Sequence, residues 1–388
     1  MDLITDTETL AAFCARCGEH PYVTVDTEFL RERTYWPLLC LVQLAHPGGE
    51  GDGSAALIDP LAEGLDLAPL FELMARPDVV KVFHAARQDI EIFWHLGKLI
   101  PAPLFDTQVA AMVCGHGDQV GYETLVRKIC RQTLDKSSRF TDWAHRPLSE
   151  KQLAYALADV THLRKIYEKL SAELARSGRG GWVAEEMAVL TSPDTYRNEP
   201  EEAWKRLKMR SSSPKFVAVA KALAEWRERR AQERDVPRSR LLKDDALLEV
   251  ASNRPETLEE LGRARLLQRE ARKGDVAQEI LAAVRRGLAA PEEETPVVVP
   301  RSAKAASAAL TDLLKVLLKQ RADDLGVAPK LIASADDLTR IAADDAPDVP
   351  AMSGWRREAF GALALQLKRG QIALGVDGAG VEIVEFED

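Results

Sequence analysis

Four carboxylates and one phenol carry the chemistry that this chain can do. Asp26 and Glu28 lie in YVTVDTEF, Asp89 in HAARQDIEIF, and Tyr155 with Asp159 in YALAD. The first segment alternates Val23 and Val25 with Thr24, Asp26 and Glu28, so a strand there puts the valines on one face and both carboxylates on the other. In LSEKQLAYALADV, Ser149 is followed three residues later by Gln152, a helix-start signal, and apolar residues then recur at helical spacing. Tyr155 and Asp159, four apart, share one face of that helix.

Hard ions such as Mg²⁺ and Mn²⁺ favour oxygen ligands and keep several waters, so carboxylates from separate elements can hold a pair of them and leave positions open for a phosphate. In two-metal hydrolysis the ions sit roughly 3.5–4 Å apart, one generating the attacking hydroxide and the other stabilising the leaving oxygen. Asp26, Glu28, Asp89 and Asp159 are the candidate ligands. A tyrosine hydroxyl, with an ordinary pKa of about 10, is a poor base at neutral pH but can hydrogen-bond the attacking water. Tyr155 is therefore read as an orienter of that water. Each fragment singly has a bland alternative, a solvated strand face or helix surface; weight comes from their order and context.

These residues need a scaffold. From Asp2 to about Leu190, short β-rich runs (YVTVDTEF, LLCLVQLA, AALID, VVKVFHA, PLFDT) are interleaved with helical stretches such as LAPLFELMA, DIEIFWHLG and YETLVRKIC. The first three strands follow closely on one another and the later ones alternate with helices. The pattern predicts an α/β domain with a mixed sheet, an antiparallel meander followed by parallel units, flanked by helices.

Three segments, VDTEFLRERTYWPLLCLVQL, KVFHAARQDIEIF and LDKSSRFTDWAHRPLSEKQLAYALADVTHL, resemble the three exonuclease motifs of the ribonuclease D family, the tyrosine-bearing branch of the DEDD exonucleases. The likeness runs over nearly the whole chain, and no motif residue is missing. It implies a ribonuclease H-like fold with the first-strand carboxylates beside the helix carrying Tyr155. It also implies release of 5′-mononucleotides from an RNA 3′ end with two divalent ions, Mg²⁺ or Mn²⁺, chiefly on tRNA precursors with 3′ trailers.

Beyond the connector SPDTYRNEPEEAWKRLKMRSSSP the composition turns helical and charged, and strand signals stop. Two stretches repeat at a shift of 91: Arg230 falls on Arg321, Val236 on Val327, Leu247 on Leu338 and Val250 on Ile341. The repeated positions are largely apolar, as in a duplicated helical core. Both copies resemble the helicase-and-RNase-D C-terminal (HRDC) domain, the first more clearly. The predicted organisation is an exonuclease domain over 1–190, a connector over 191–212, one all-α HRDC domain over 213–289, a linker over 290–303 rich in proline and acid, and a divergent HRDC-like domain over 304–388.

Formal net charge is −9, the wrong sign for a nucleic-acid partner, but its distribution matters more. Trp204 to Leu288 holds 21 Lys and Arg against 13 Asp and Glu, whereas Pro291 to Asp388 holds 11 against 17. The first copy is thus the basic one. Its Arg227, Arg229 and Arg230 are candidates to follow an RNA backbone, with a solvated helix face laced with ion pairs as the alternative. Near the first motif, Phe29 and Leu30 could pack on the terminal base, and Arg31, Arg33, Lys136 or Arg139 could meet phosphates; for Phe29 core packing is the stronger alternative. Removal of everything after about Thr191 is expected to spare cleavage of short single strands.

Several readings are disfavoured. Cys14, Cys17 and His20 lack the fourth ligand of a structural zinc site, and His84 is expected to close its strand with its ring bonded to the turn, without a chemical role. Most of the five cysteines sit among apolar residues, which fits buried thiols in a reducing compartment. No run of apolar residues is long enough for a membrane span, and no basic region followed by an apolar run opens the chain. A cytoplasmic monomer with RNA as partner and no obligate protein partner is expected. A 3′–5′ DNA exonuclease of the same superfamily and a non-catalytic RNA-binding adaptor are the competing functions.

Overall fold

The computed structural model describes residues 3–49, 51, 53–135, 138, 141–209, 211–291, 293, 295–296, 307–378 and 380–386. Lys136, Arg139 and much of the linker expected over 290–303 lie outside the described residues. Contacts divide the chain into two compact units, one formed by 1–28, 39–195 and 304–388, the other by 29–38 and 196–303.

The first unit begins with β1 (Leu3–Ile4), α1 (Thr7–Cys17), β2 (Tyr22–Leu30), β3 (Leu38–Ala45), β4 (Ala55–Ile58), α2 (Ala68–Ala75), β5 (Val80–Phe83), α3 (Arg87–Gly97), β6 (Leu104–Asp106), α4 (Thr107–Val113), α5 (Tyr122–Leu125), α6 (Glu150–Ser177) and α7 (Gly180–Leu190). The sheet order is β1-β4-β3-β2-β5-β6. Strands β3 and β4 pair antiparallel, whereas β1 with β4, β2 with β5 and β5 with β6 pair parallel. This is the mixed sheet flanked by helices that the pattern predicts, with the two-residue β1 added, too short to show any alternation. Central β2 is covered on both faces, so Val23, Thr24 and Val25 are all fully buried. Cys14 and Cys17 belong to the buried face of α1, and burial pushes the Cys14 thiol up to about 12, as in an inert core thiol.

The second unit is helical: α8 (Pro214–Glu233), α9 (Arg238–Leu241), α10 (Asp244–Asn253), α11 (Leu258–Gly262) and α12 (Gly274–Ala289). Its core is built on Leu223, Leu247, Val250, Ile280 and Val284, and Ala203 and Leu207 of the connector join it. Gly287 lets α12 approach α8 closely, since a Cβ there would stand 2.5 Å from the Val219 Cα. Of the three arginines of α8, Arg227 alone is buried, whereas Arg229 is exposed and Arg230 half-buried. Arg227 is 4% exposed and donates to the Leu242 carbonyl at 2.8 Å and to Asp244 at 2.7 Å. Arg229 pairs with Glu201 and Glu225, and Arg230 with Glu233 and Glu279. Packing of α8 against α10 and α12 turns part of this run inward, where acidic side chains meet it.

The chain then re-enters the first unit with α13 (Ala308–Leu325), α14 (Pro329–Ile332), α15 (Ala335–Ala343), α16 (Gly354–Arg356), α17 (Ala362–Lys368) and a hairpin of β7 (Ile372–Asp377) and β8 (Gly380–Glu385). Helices α14 and α15 start 91 residues after α9 and α10, and Leu338 and Ile341 are buried as Leu247 and Val250 are. The closing hairpin corrects the reading that strands end at the connector: β-branched residues in GVDGAGVEIV flank a glycine-rich turn. These C-terminal elements pack on α7. Trp182 and Trp355 stack with centroids 4.3 Å apart, Glu186 pairs with Arg356, and Arg179 donates to the Leu325 carbonyl at 2.6 Å.

Candidate active site

The site grows from β2 and α6. The Thr24 hydroxyl, on the same strand face as Asp26 and Glu28, donates to the Val160 carbonyl of α6 at 2.8 Å. Ser149 and Gln152 form the expected capping box, which starts α6 at Glu150 and sets the phase that puts Tyr155 and Asp159 on its inner side. One carboxylate oxygen each from Asp26, Glu28 and Asp159 lies within 4.8 Å of the others. A cavity of about 220 Å³ opens there, lined among others by Asp26, His84, Tyr122, Tyr155, Asp159 and Leu163. Tyr155 stands beside Trp143, their ring centroids 6.2 Å apart.

Asp89 sits in the first turn of α3, 6% exposed, and accepts the Thr27 hydroxyl at 2.5 Å. The sequence-predicted carboxylates thus come together, three around one point and the fourth held beside β2 by Thr27. Burial first, then the charges of Asp89, Asp159 and Glu28, pushes the Asp26 carboxyl well above the usual carboxylate range. Burial likewise pushes Asp89 up to about 7 against the Thr27 hydrogen bond, which favours its charged form. Crowded carboxylates of raised proton affinity are the donor set that a hard divalent cation relieves, so the residues fit the group.

Other residues that shape the site carry no motif signal. Tyr122 donates its hydroxyl to the Asp159 carbonyl at 2.5 Å and lies 3.1 Å from that of Ala158, pinning the turn of α6 from which Asp159 projects. Asp106 caps α4 and also accepts the amides of Ala85 (3.0 Å) and Ala86 (2.8 Å), holding the turn that leads into α3. Ala85 has φ +59°, a left-handed conformation that such an anchor must enforce in a residue other than glycine. A cap reading of Asp106–Thr107 was available in PLFDT; its reach back to Ala85 was not. His84 bonds Thr107 at 3.0 Å, at the start of α4 and not in its own turn, and it lines the cavity. Phe29, Leu30, Arg31 and Arg33 belong to the second unit; Phe29, Leu30 and Arg31 are partly buried and Arg33 is exposed.

The family model described as 3′-5′ exonuclease matches residues 1–175, and the HRDC domain model matches residues 217–284. Ribonuclease D of Jannaschia sp. is 61% identical over 98% of this chain and 99% of its own, and that of Nitrobacter hamburgensis is 54% identical over 99% and 100%. The crystal structure of Escherichia coli RNase D, an exoribonuclease involved in structured RNA processing, superposes with a TM-score of 0.82 at 30% identity, covering 95% of this chain and 98% of that one. Fold, acidic site and matches define a hydrolase of the 3′–5′ exonuclease class with an HRDC domain attached. Such a fold implies divalent-metal use. The chain belongs to the ribonuclease D family and is a 3′–5′ exoribonuclease. RNA binding follows from that membership, and among the described residues no helix is long and apolar enough to cross a membrane.

Proposed function

We propose that Asp26, Glu28, Asp89 and Asp159 hold two divalent ions, Mg²⁺ or Mn²⁺, that Tyr155 aims the attacking water, and that tRNA precursors with 3′ trailers are the main substrate, shortened one 5′-mononucleotide at a time. The observation that carries this reading is the convergence of Asp26, Glu28 and Asp159 oxygens within 4.8 Å on a cavity that Tyr155 also lines. When bound, the ions supply Lewis-acid stabilisation of the phosphoryl group and of the leaving oxygen. The chain itself supplies position. Thr24 and Tyr122 fix α6, Thr27 orients Asp89, and Asp106 holds the turn before it. The Tyr155 hydroxyl donates or accepts one hydrogen bond to set the line of attack.

The domain reading accompanies this: exonuclease over 1–190, HRDC over 213–289 and a divergent HRDC-like repeat over 304–388. The starts of α14 and α15, each 91 residues after their counterparts, support the duplication. A cytoplasmic monomer is the proposed working state, and the five free cysteines fit a reducing compartment. Digestion of a precursor tRNA carrying a 3′ trailer, beside a DNA oligonucleotide of matched sequence, tests the proposal. Stepwise 5′-mononucleotides from the RNA are expected; internal fragments, or equal loss of the DNA, would contradict it.

A further inference from the structure

The ten residues 29–38, which join β2 to β3, are built into the helical unit. Their anchor is Tyr35, 9% exposed, seated in a socket of side chains from α8, α9 and the turn between them. Its phenol donates to Glu228 and accepts from Arg238 at 3.0 Å and Gln232 at 3.2 Å. The amides of Tyr35 and Trp36 both donate to the Asp235 carboxylate, each at 2.9 Å. The Arg238 guanidinium also lies over the Tyr35 ring, 5.0 Å from its centroid. Glu228 is 1% exposed; burial opposes its charge, yet hydrogen bonds from Arg238 and Tyr35 hold its carboxyl below the usual range, so it is ionised and fixes Tyr35 as the donor.

Two consecutive residues therefore receive five polar contacts from a domain whose sequence begins more than 150 residues later, and the segment so gripped starts one residue after Glu28. Placing Phe29, Leu30, Arg31 and Arg33 is the direct mechanical consequence, because so short a segment leading into a held anchor has few conformations. We infer that the Tyr35 socket, made by Glu228, Gln232, Asp235 and Arg238, positions the RNA-facing segment 29–33, so that cleavage of even a very short RNA depends on the socket. This rests on the reading of Phe29, Leu30, Arg31 and Arg33 as RNA-facing residues. Tyr35 and Asp235 are positioning residues, acting through that segment.

Full-length Tyr35→Phe, Asp235→Ala and Asp235→Asn, each first checked for an unchanged thermal midpoint, are assayed on a tetranucleotide RNA with Mg²⁺, beside Mn²⁺ titration by calorimetry. Misplacement of binding groups should raise KM by about 10- to 100-fold in Tyr35→Phe and Asp235→Ala, with kcat within about twofold and Mn²⁺ affinity unchanged. Asp235→Asn retains an acceptor oxygen and should recover most of the loss. A tetranucleotide KM equal to wild type in well-folded Tyr35→Phe and Asp235→Ala overturns the inference, as does a joint fall in kcat and Mn²⁺ affinity, which would place the damage at the metal site. Phe29→Ala and Arg31→Ala, run in parallel, separate the two readings: if they raise KM while the socket variants do not, segment 29–33 still faces RNA and the socket does not position it. If they leave KM unchanged, the reading of segment 29–33 falls and the inference with it.

Discussion

The Thr24 hydroxyl donates to the Val160 carbonyl at 2.8 Å, tying the strand that carries Asp26 and Glu28 to the helix turn that carries Asp159. Thr24 is two residues from Asp26, and Val160 adjoins Asp159. The bond thus spans the carboxylate cluster at its base, where a small shift changes the separation of the oxygens.

Thr24→Val keeps the shape and removes the hydroxyl. Loss of one buried hydrogen bond should lower stability by about 1 kcal/mol in a denaturant melt. Loosened support for a ligand should weaken Mn²⁺ by roughly 10-fold, the low end for groups that orient metal ligands. Unchanged Mn²⁺ affinity would show that packing alone sets the distance between β2 and α6.

Asp106 should matter to hydrolysis without lining the cavity. Asp106→Ala removes the α4 cap and the acceptor of two amides before α3, so a stability loss of about 2 kcal/mol is expected with reduced turnover. Ala85→Gly relieves the left-handed strain at that turn and should leave activity and stability near wild type. Wild-type turnover in a folded Asp106→Ala would detach this turn from the placement of Asp89.

The carboxylates also set a pH dependence. In the metal-free fold Asp89 holds its proton to about pH 7, whereas the unfolded chain releases it near about 3.9. Between these values the folded state binds more protons, so this contribution to stability is complete below about pH 4 and lost as pH rises through about 7. With metal chelated, the wild-type midpoint should fall from pH 5 to pH 8 more steeply than that of Asp89→Asn. Added Mn²⁺ should raise the wild-type midpoint more at pH 8 than at pH 5, because binding no longer displaces a proton. Parallel pH slopes for the two proteins would contradict the raised proton affinity of Asp89.

What the sequence disclosed were features with local periodicity. Alternation in YVTVDTEF exposed Asp26 and Glu28, the Ser149–Gln152 cap started α6, and a spacing of four put Tyr155 with Asp159. The supports around them depend on contacts distant in sequence: Tyr122 reaches Asp159, Asp106 reaches Ala85, and Tyr35 reaches Glu228 across 193 positions. Charge counting misplaced Arg227 for the same reason, since whether a basic residue on a helix is exposed is decided by what packs on that helix. It also bears on truncation. Ending the chain near Thr191 removes both the Tyr35 socket and the α13–α17 layer on α7, so such a protein is expected to lose cleavage of short strands as well.

Asp26→Asn, assayed at saturating Mg²⁺ beside Tyr155→Phe, tests the two-metal site most directly. The substitution removes a ligand charge from the centre of the cluster with little change in volume, so hydrolysis should be abolished while RNA binding, read by fluorescence anisotropy, stays within a few-fold of wild type. Tyr155→Phe should lower turnover by about 10²–10⁴ with KM little changed, the range for a positioned proton-handling group. Turnover near wild type in Asp26→Asn would contradict the assignment of the Asp26, Glu28 and Asp159 cluster as the metal site.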